Sequence, residues 1–237
     1  MLQLQGLYRN YGFRKALLPL SLDFSGGQTV CVLGPNGAGK SSFLDALLSP
    51  PPSDAKILFH GKSLEGDEQM RAYYSNIGFV GHDPGLYLDL SCRENLHCFF
   101  AHYSLEPLPE ETVAENLRRA GLLARSDDPA RSLSRGMKQR LGLMRSLLHN
   151  PDIWLLDEPI TGLDLAGQDL LIELLDERNR NGKLSIAITH TDEPFLPVAN
   201  RYLYLNQGAL VADIEASRYG AEARRKAKEI LKKGLLG

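Results

Sequence analysis

Short apolar runs rich in Val, Ile and Leu punctuate this chain at Thr29–Leu33, Ile77–Val80, Ile153–Asp157 and residues 185–189. Each is nearly unbroken rather than alternating, as in strands buried on both faces, and helix-length segments lie between them. The pattern predicts an α/β fold whose parallel sheet is covered on both sides. Residues 1–24 and Lys56–Phe59 read instead as antiparallel strands, with turns at Gly26-Gly27 and Gly61. Between residues 86 and 150 the strand signals vanish and helical patterns take over, one opening at Pro109-Glu110-Glu111 and running to Gly121. That block reads as a helical lobe inserted into the sheet. The turn cluster Ser49-Pro50-Pro51-Pro52-Ser53 separates the first helix from the next strand, and neither internal repeats nor low-complexity tracts occur. The expected organisation is one domain over residues 1–237. Residues 1–86 and 150–215 form an α/β core with an antiparallel β subdomain, 87–149 a helical subdomain, and 216–237 a basic C-terminal helix.

At 237 residues and 43% hydrophobic content the chain can bury a substantial core, which excludes a disordered protein. Its 27 basic and 29 acidic residues leave a net charge of −2, so no global footprint for nucleic acid or anionic lipid exists. Any phosphate binding must be local. Residues 1–13 carry Gln, Tyr, Arg and Asn where a signal peptide needs an uninterrupted apolar stretch. No run approaches the ~18 apolar residues of a membrane-spanning helix. The chain is therefore expected in the cytoplasm, serving a membrane only through a partner. Cys31, Cys92 and Cys98 lack metal-ligand spacing and read as reduced, packing thiols.

The chemistry starts at Gly34-Pro35-Asn36-Gly37-Ala38-Gly39-Lys40-Ser41, followed by Ser42, which fits the P-loop pattern, follows an apolar strand and opens a helix. Glycines let the backbone curl around a phosphate, and its N–H groups, with the positive end of the following helix, form an anion nest. Lys40 is placed to reach β- and γ-phosphates and the Ser41 hydroxyl to ligate Mg²⁺. The strand Ile153–Asp157 ends in two carboxylates, Asp157 and Glu158, at the sheet edge where ligands sit in open α/β folds. Asp157 is suited to holding Mg²⁺, directly or through water. Glu158 is the better candidate for polarising an attacking water. His190 ends another apolar run and should emerge on the same edge, within reach of the γ-phosphate or that water.

Leu133-Ser134-Arg135-Gly136-Met137-Lys138-Gln139-Arg140 closely resembles the LSGGQ signature that separates ABC ATPases from other P-loop proteins. The resemblance covers residues 4–212 and implies a RecA-like P-loop NTPase core that binds and hydrolyses ATP with Mg²⁺. It implies that Tyr11 stacks on adenine, that Thr161-Gly162-Leu163-Asp164 is the D-loop and that His190 is the switch histidine. Ser134 should cap a helix of about 15 residues, roughly 22 Å long, that ends before Asn150-Pro151. That helix N-terminus is an anion site with no phosphate of its own chain within reach, so a second copy must supply one. The expectation is a head-to-tail dimer, of identical or homologous subunits, with two shared ATP sites. Two departures stand out: His82 occupies the Q-loop position where the family usually has Gln, and Arg135 and Met137 replace the first Gly and the Gln of the signature. Ser134 and Gly136, the expected phosphate contacts, remain.

The segment Gly81-His82-Asp83-Pro84-Gly85-Leu86 resembles the ATPase of the haem-export, cytochrome c maturation system, while Gly136-Met137-Lys138-Gln139-Arg140 is shared with ABC-2-type exporters. Cargo is chosen by permease subunits in the membrane, which this chain does not contain. Two other classes are open to such a sequence: a soluble ABC ATPase acting on ribosomes or nucleic acid, and a nucleotide-binding subunit without catalysis. The first usually carries two cassettes or long coiled-coil arms, and the second is disfavoured by the full set Lys40, Ser41, Asp157, Glu158 and His190.

Overall fold

The computed structural model describes residues 1–104, 106–190, 193–195 and 197–215. The expected basic helix over 216–237 lies outside the described residues. The strands are β1 (Leu2–Tyr11), β2 (Arg14–Phe24), β3 (Thr29–Leu33), β4 (Lys56–Phe59), β5 (Lys62–Ser63), β6 (Ile77–Val80), β7 (Ile153–Asp157), β8 (Leu184–Ile188), β9 (Arg201–Asn206) and β10 (Ala209–Glu215). The helices are α1 (Lys40–Leu47), α2 (Asp67–Tyr74), α3 (Cys92–Phe100), α4 (Glu110–Arg119), α5 (Arg135–Leu147) and α6 (Leu165–Arg180).

They build two sheets. One is antiparallel, in the order β2-β1-β4-β5; the other runs β10-β9-β3-β8-β7-β6. In the second, β9, β3, β8, β7 and β6 pair in parallel and β10 closes one edge antiparallel to β9. The fully parallel sheet expected from the sequence thus gains an antiparallel edge strand. Three buried strands match their expected bounds, and the fourth lies one residue earlier, at Leu184–Ile188. The helix of about 15 residues expected between its cap Ser134 and Asn150-Pro151 has 13 and ends at Leu147, and Asn150 takes a left-handed φ of 50° before Pro151.

β3 and β8 are buried along their whole length, and β7 over its first four residues, because alternate residues feed two different cores. Val30 and Val32 of β3, with Ile153 and Leu155 of β7, pack toward α1 and the antiparallel sheet. Cys31 and Leu33, with Trp154 and Leu156, face the opposite core, which contains residues of α3, α4, α5 and α6. All three cysteines are free thiols, and Cys31 and Cys92 are buried.

The end of the sheet away from the P-loop is closed by a buried arginine. Arg178 of α6, only 6% exposed, donates to Ser185 Oγ at 3.2 Å and to the carbonyls of Pro151 and Leu184 at 3.1 Å each. Burial pushes its guanidinium down to about 10, so it stays charged at neutral pH. Beside it, Lys183 Nζ lies 2.6 Å from Asp152, whose other oxygen meets His60 Nε2 at 2.9 Å and so ties the β4–β5 turn to the core sheet. Burial raises the Asp152 carboxyl, but the Lys183 and His60 contacts outweigh it and hold the group below its ordinary value.

Replacing Arg178 with Met would strand two carbonyls and a hydroxyl without their donor. Each stranded buried group costs about 1–3 kcal/mol, so thermal melting should fall by roughly 6–12 °C for a loss of about 3 kcal/mol. The Asp152 contribution, from a depressed folded value, is complete above the unfolded value and lost as pH falls through the folded one. Asp152→Asn should therefore flatten the acid limb of the stability profile and leave its shape above pH 6 unchanged, as read by denaturant midpoints across pH.

Candidate nucleotide-binding site

The parallel arrangement brings the carboxyl ends of β3, β8, β7 and β6 to one edge. From that edge the chain runs directly into Gly34, Thr189-His190, Glu158 and Gly81-His82 respectively. A cleft of about 340 Å³ opens there, lined by Tyr11, Asn36, Gly37, Gly39, Lys40, Ser41, Ser42, His82, Asp157, Glu158 and His190 among others. Eleven residues singled out from the sequence therefore share one cavity.

The loop between β3 and α1 is held open by backbone geometry that only glycine tolerates. Gly34 has φ 152° and a Cβ there would lie 2.2 Å from the Leu205 carbonyl; Gly39 has φ 101° and its Cβ would lie 2.6 Å from the Ala16 carbonyl. Gly39 caps α1 without a side-chain hydrogen bond, so the first N–H groups of the helix remain available to an anion. Pro35 accepts from Ala38 N, and Ala38 is itself buried, so these two shape the loop from behind the cleft.

Lys40 is buried and turned into its own loop, donating to the carbonyls of Gly34 at 2.8 Å and Pro35 at 3.1 Å. Its Nζ also lies 3.5 Å from His190 Nδ1, whose other ring nitrogen is 2.8 Å from Glu158 Oε1. A chain of contacts thus runs from lysine through imidazole to carboxylate. Burial lowers the Lys40 ammonium against the opposing pull of Glu158 and Asp157. Burial also raises both carboxyls above their ordinary values, against the nearby His190, His82 and Lys40. Glu158 further adopts a left-handed backbone, φ 52°, while its N–H donates to the Ile188 carbonyl at 2.9 Å. A non-glycine residue held there carries strain that the surrounding sheet must offset.

Tyr11 lines the cleft from the end of β1, half-exposed, with its hydroxyl donating to Asp45 at 2.7 Å. Arg14 and Ala16, at the start of β2, line the same wall and were not foreseen. The signal for Arg14 was its place three residues beyond Tyr11 across a Gly12-Phe13 turn.

The signature residues sit elsewhere. Ser134 caps α5 by accepting from Met137 N at 3.3 Å; Ser134 and Arg135 are exposed, and none of Ser134, Arg135, Gly136 and Met137 lines the cleft. Asp164 caps α6, accepting from Gly167 N at 2.9 Å, and its carboxyl would meet a Cβ at Gly136 at 3.1 Å. Arg135 packs still more closely on Gly162, where an added Cβ would lie 2.4 Å from the guanidinium. Signature and D-loop therefore form one surface, separate from the cleft of their own chain.

A twisted parallel sheet with a glycine loop opening a helix, and an acidic strand end beside it, defines a P-loop nucleoside triphosphatase. A family model described as ABC transporter matches residues 17–161. The chain belongs to the ABC transporter family, as an ATP-binding, ATP-hydrolysing cassette. It is 37% identical over 177 residues to the cytochrome c biogenesis ATP-binding export protein CcmA 2 of Cupriavidus metallidurans, covering 74% of this chain and 82% of that protein. It is 33% identical to the Nod factor export ATP-binding protein I of Rhizobium johnstonii, across 90% of this chain and 68% of that one. Among solved structures, the dimeric post-hydrolysis ATP-binding cassette MJ0796 bound to ADP and Pi superposes with a TM-score of 0.81 at 25% identity, over 92% of this chain and 99% of that one.

The electrostatics of the cleft carry a stability consequence. Because burial raises Glu158 above its ordinary value, ionising it costs more in the nucleotide-free fold than in the unfolded chain. Glu158→Gln should therefore raise the melting temperature of the nucleotide-free protein at pH 7–8, and the gain should shrink as pH falls toward protonation of Glu158. Differential scanning calorimetry across pH reads this directly.

Proposed function

We propose that the cleft binds ATP with its triphosphate wrapped by residues 34–42, and that Glu158 and His190 act on the water that attacks the γ-phosphate. Tyr11 stacks on the adenine, Lys40 leaves its loop carbonyls for the β- and γ-phosphates, and loop N–H groups carry the remaining charge. Glu158 takes the proton from the attacking water, and His190, in contact with both Glu158 and Lys40, orients it. The observation that supports this reading is the contact chain Lys40, His190 and Glu158 within one cleft. His82, on the same wall, fills the Q-loop position and hydrogen-bonds the water or a phosphate oxygen.

Mg²⁺ fits beside them. Ser41 and Asp157 line one cleft, a hydroxyl and a carboxylate that can offer oxygen ligands beside a phosphate site. No group of three His, Cys, Asp or Glu side chains forms a self-contained metal site among the described residues. An ion that needs only one or two protein oxygens, with phosphate and water completing its shell, suits such a pair. Bound there, it would offset phosphate charge during transfer.

Ser134 and Arg135 are exposed, and none of Ser134, Arg135, Gly136 and Met137 lines their own cleft, which suits them to a nucleotide held by a second copy, with Asp164 at the same seam. The working unit is a head-to-tail homodimer docked on membrane permease subunits at the cytoplasmic face. Its described helices include none long and apolar enough to cross a membrane. The segment of α3 and the loop before it, residues 86–103, carries half-exposed Tyr87 and Leu88 and transmits closure to the permease. Export is the favoured direction. The cytochrome c biogenesis relative and the Gly81-His82 pair support a haem-type cargo, whereas the broader coverage by the Nod factor export protein supports a more general exporter.

Glu158→Gln preserves size and the contact to His190 but removes the base. Turnover should fall by roughly 10² or more, while ATP should hold a dimer visible by size-exclusion chromatography. Full ATPase activity in that variant would remove Glu158 from its role, and a permanently monomeric Glu158→Gln chain with ATP would sink the shared-site dimer.

A further inference from the structure

Three consecutive contacts along one face of α5 grip the loop that carries His82. Gln139, only 5% exposed, donates from Nε2 to the His82 carbonyl at 3.1 Å. One turn on, Gly142 lies against Pro84 so closely that a Cβ would be 2.7 Å from the proline Cβ. One turn further, Arg145, 8% exposed, donates to the Gly85 carbonyl at 3.1 Å and lies 3.9 Å over the ring of Phe99 on α3. Gly85 has φ 62°, and Asp83 accepts from its N–H at 2.7 Å, so the loop turns sharply inside this grip.

Positions 139, 142 and 145 are spaced by three, which stacks them on a single stripe of the helix. The stripe is polar at both ends and bare in the middle, a composition unsuited to core packing but matched to a backbone segment lying along it. Burying an amide and a guanidinium is costly unless each finds acceptors. Here the acceptors are the carbonyls of residues 82 and 85, which take one donor each from Gln139 and Arg145, while Arg145 Nε is left without a partner among the described residues.

We infer that Gln139 and Arg145 are positioning residues that fix the His82 backbone at the wall of the ATP cleft, and so tie that wall rigidly to the helix bearing Ser134. The inference rests on the proposed role of His82 in the cleft. It adds a mechanical consequence: α5 meets the nucleotide of its own chain through His82 and presents its N-terminus to the nucleotide of the second copy. A displacement of His82 that accompanies hydrolysis in one site is thereby carried along one helix to the other site.

The test is a double-mutant cycle on steady-state ATP hydrolysis by the full-length chain, using Gln139→Met, which keeps length and removes the donor, and His82→Ala. Gln139→Met should lower kcat about tenfold with KM within about twofold, and the same substitution made in the His82→Ala background should cause no further fall. Gly142→Ala pushes Pro84 outward instead of removing a bond, and should show the same non-additivity, so the proposal stands on a second variant if the first melts early. Losses that multiply in the double variants would mean that Gln139 and Gly142 act independently of His82, and would overturn the clamp. A His82→Ala variant with unchanged kcat would instead remove His82 from the site and overturn the inference at its foundation. An unchanged kcat in both Gln139→Met and Gly142→Ala, with a reduced one in His82→Ala, would overturn the clamp alone.

Discussion

The site depends on one constraint: four parallel strands, β3, β8, β7 and β6, are hydrogen-bonded neighbours in a single register. Because parallel strands all end on the same side, the loop of 34–39, His190, Glu158 and His82 emerge within one cleft without any element being built specially to bring them there. The register is held by complete burial. Every residue of β3 and β8 and the first four of β7 are buried, and a one-residue slip would exchange residues between the two cores. Packing of Val30, Trp154 and Ile186 is thus a precondition for the Lys40, His190 and Glu158 contacts, though none of the three touches the cleft.

The cleft itself works against folding. It holds two carboxyls that burial disfavours in their ionised form, a buried ammonium, and a glutamate in a left-handed backbone. Lys40 is partly reconciled by bonding its own loop carbonyls, an arrangement that a triphosphate would replace in the proposed function. The opposite end of the sheet shows the reverse logic. There Arg178, Lys183 and His60 are each met by an acceptor, the carboxylate of Asp152 or a carbonyl at a strand end. A stable base and a strained rim are the expected division of labour in an α/β enzyme whose binding energy is released on ligation.

The central strands and the P-loop were legible because a continuous apolar run and a glycine pattern are local signals. The edge was not. Buried Arg201 opens β9 and pairs with Asp213 of β10 through two contacts of 2.8 and 2.7 Å, and β10 itself is half-exposed along its length, so neither strand end carries the continuous apolar run that marks the centre of the sheet. Arg14 was missed for a related reason: its place on the cleft wall depends on how the β1–β2 hairpin lies over the P-loop, with the Ala16 carbonyl against Gly39. Gln139 and Arg145 look like the solvated face of a helix until a loop 57 and 60 residues earlier is laid on them. A side chain whose partner is a distant backbone carbonyl leaves no trace in periodicity.

These long-range contacts change how α5 should be understood. A helix whose N-terminus is capped by Ser134 and packed against Asp164, and whose middle grips residues 82–85, is fixed at both places by hydrogen bonds and close backbone contact in addition to the apolar seam of Leu141, Leu143 and Met144. Over 13 residues, about 20 Å, it cannot absorb a shift at one end without moving the other. Arg145 extends the same set of contacts to α3 through Phe99, so direct contacts join the proposed permease-facing segment, the His82 wall and the helix that bears the signature surface. In that arrangement nucleotide binding need not distort the helical lobe to signal outward; it only has to choose where a rigid lobe sits relative to the sheet.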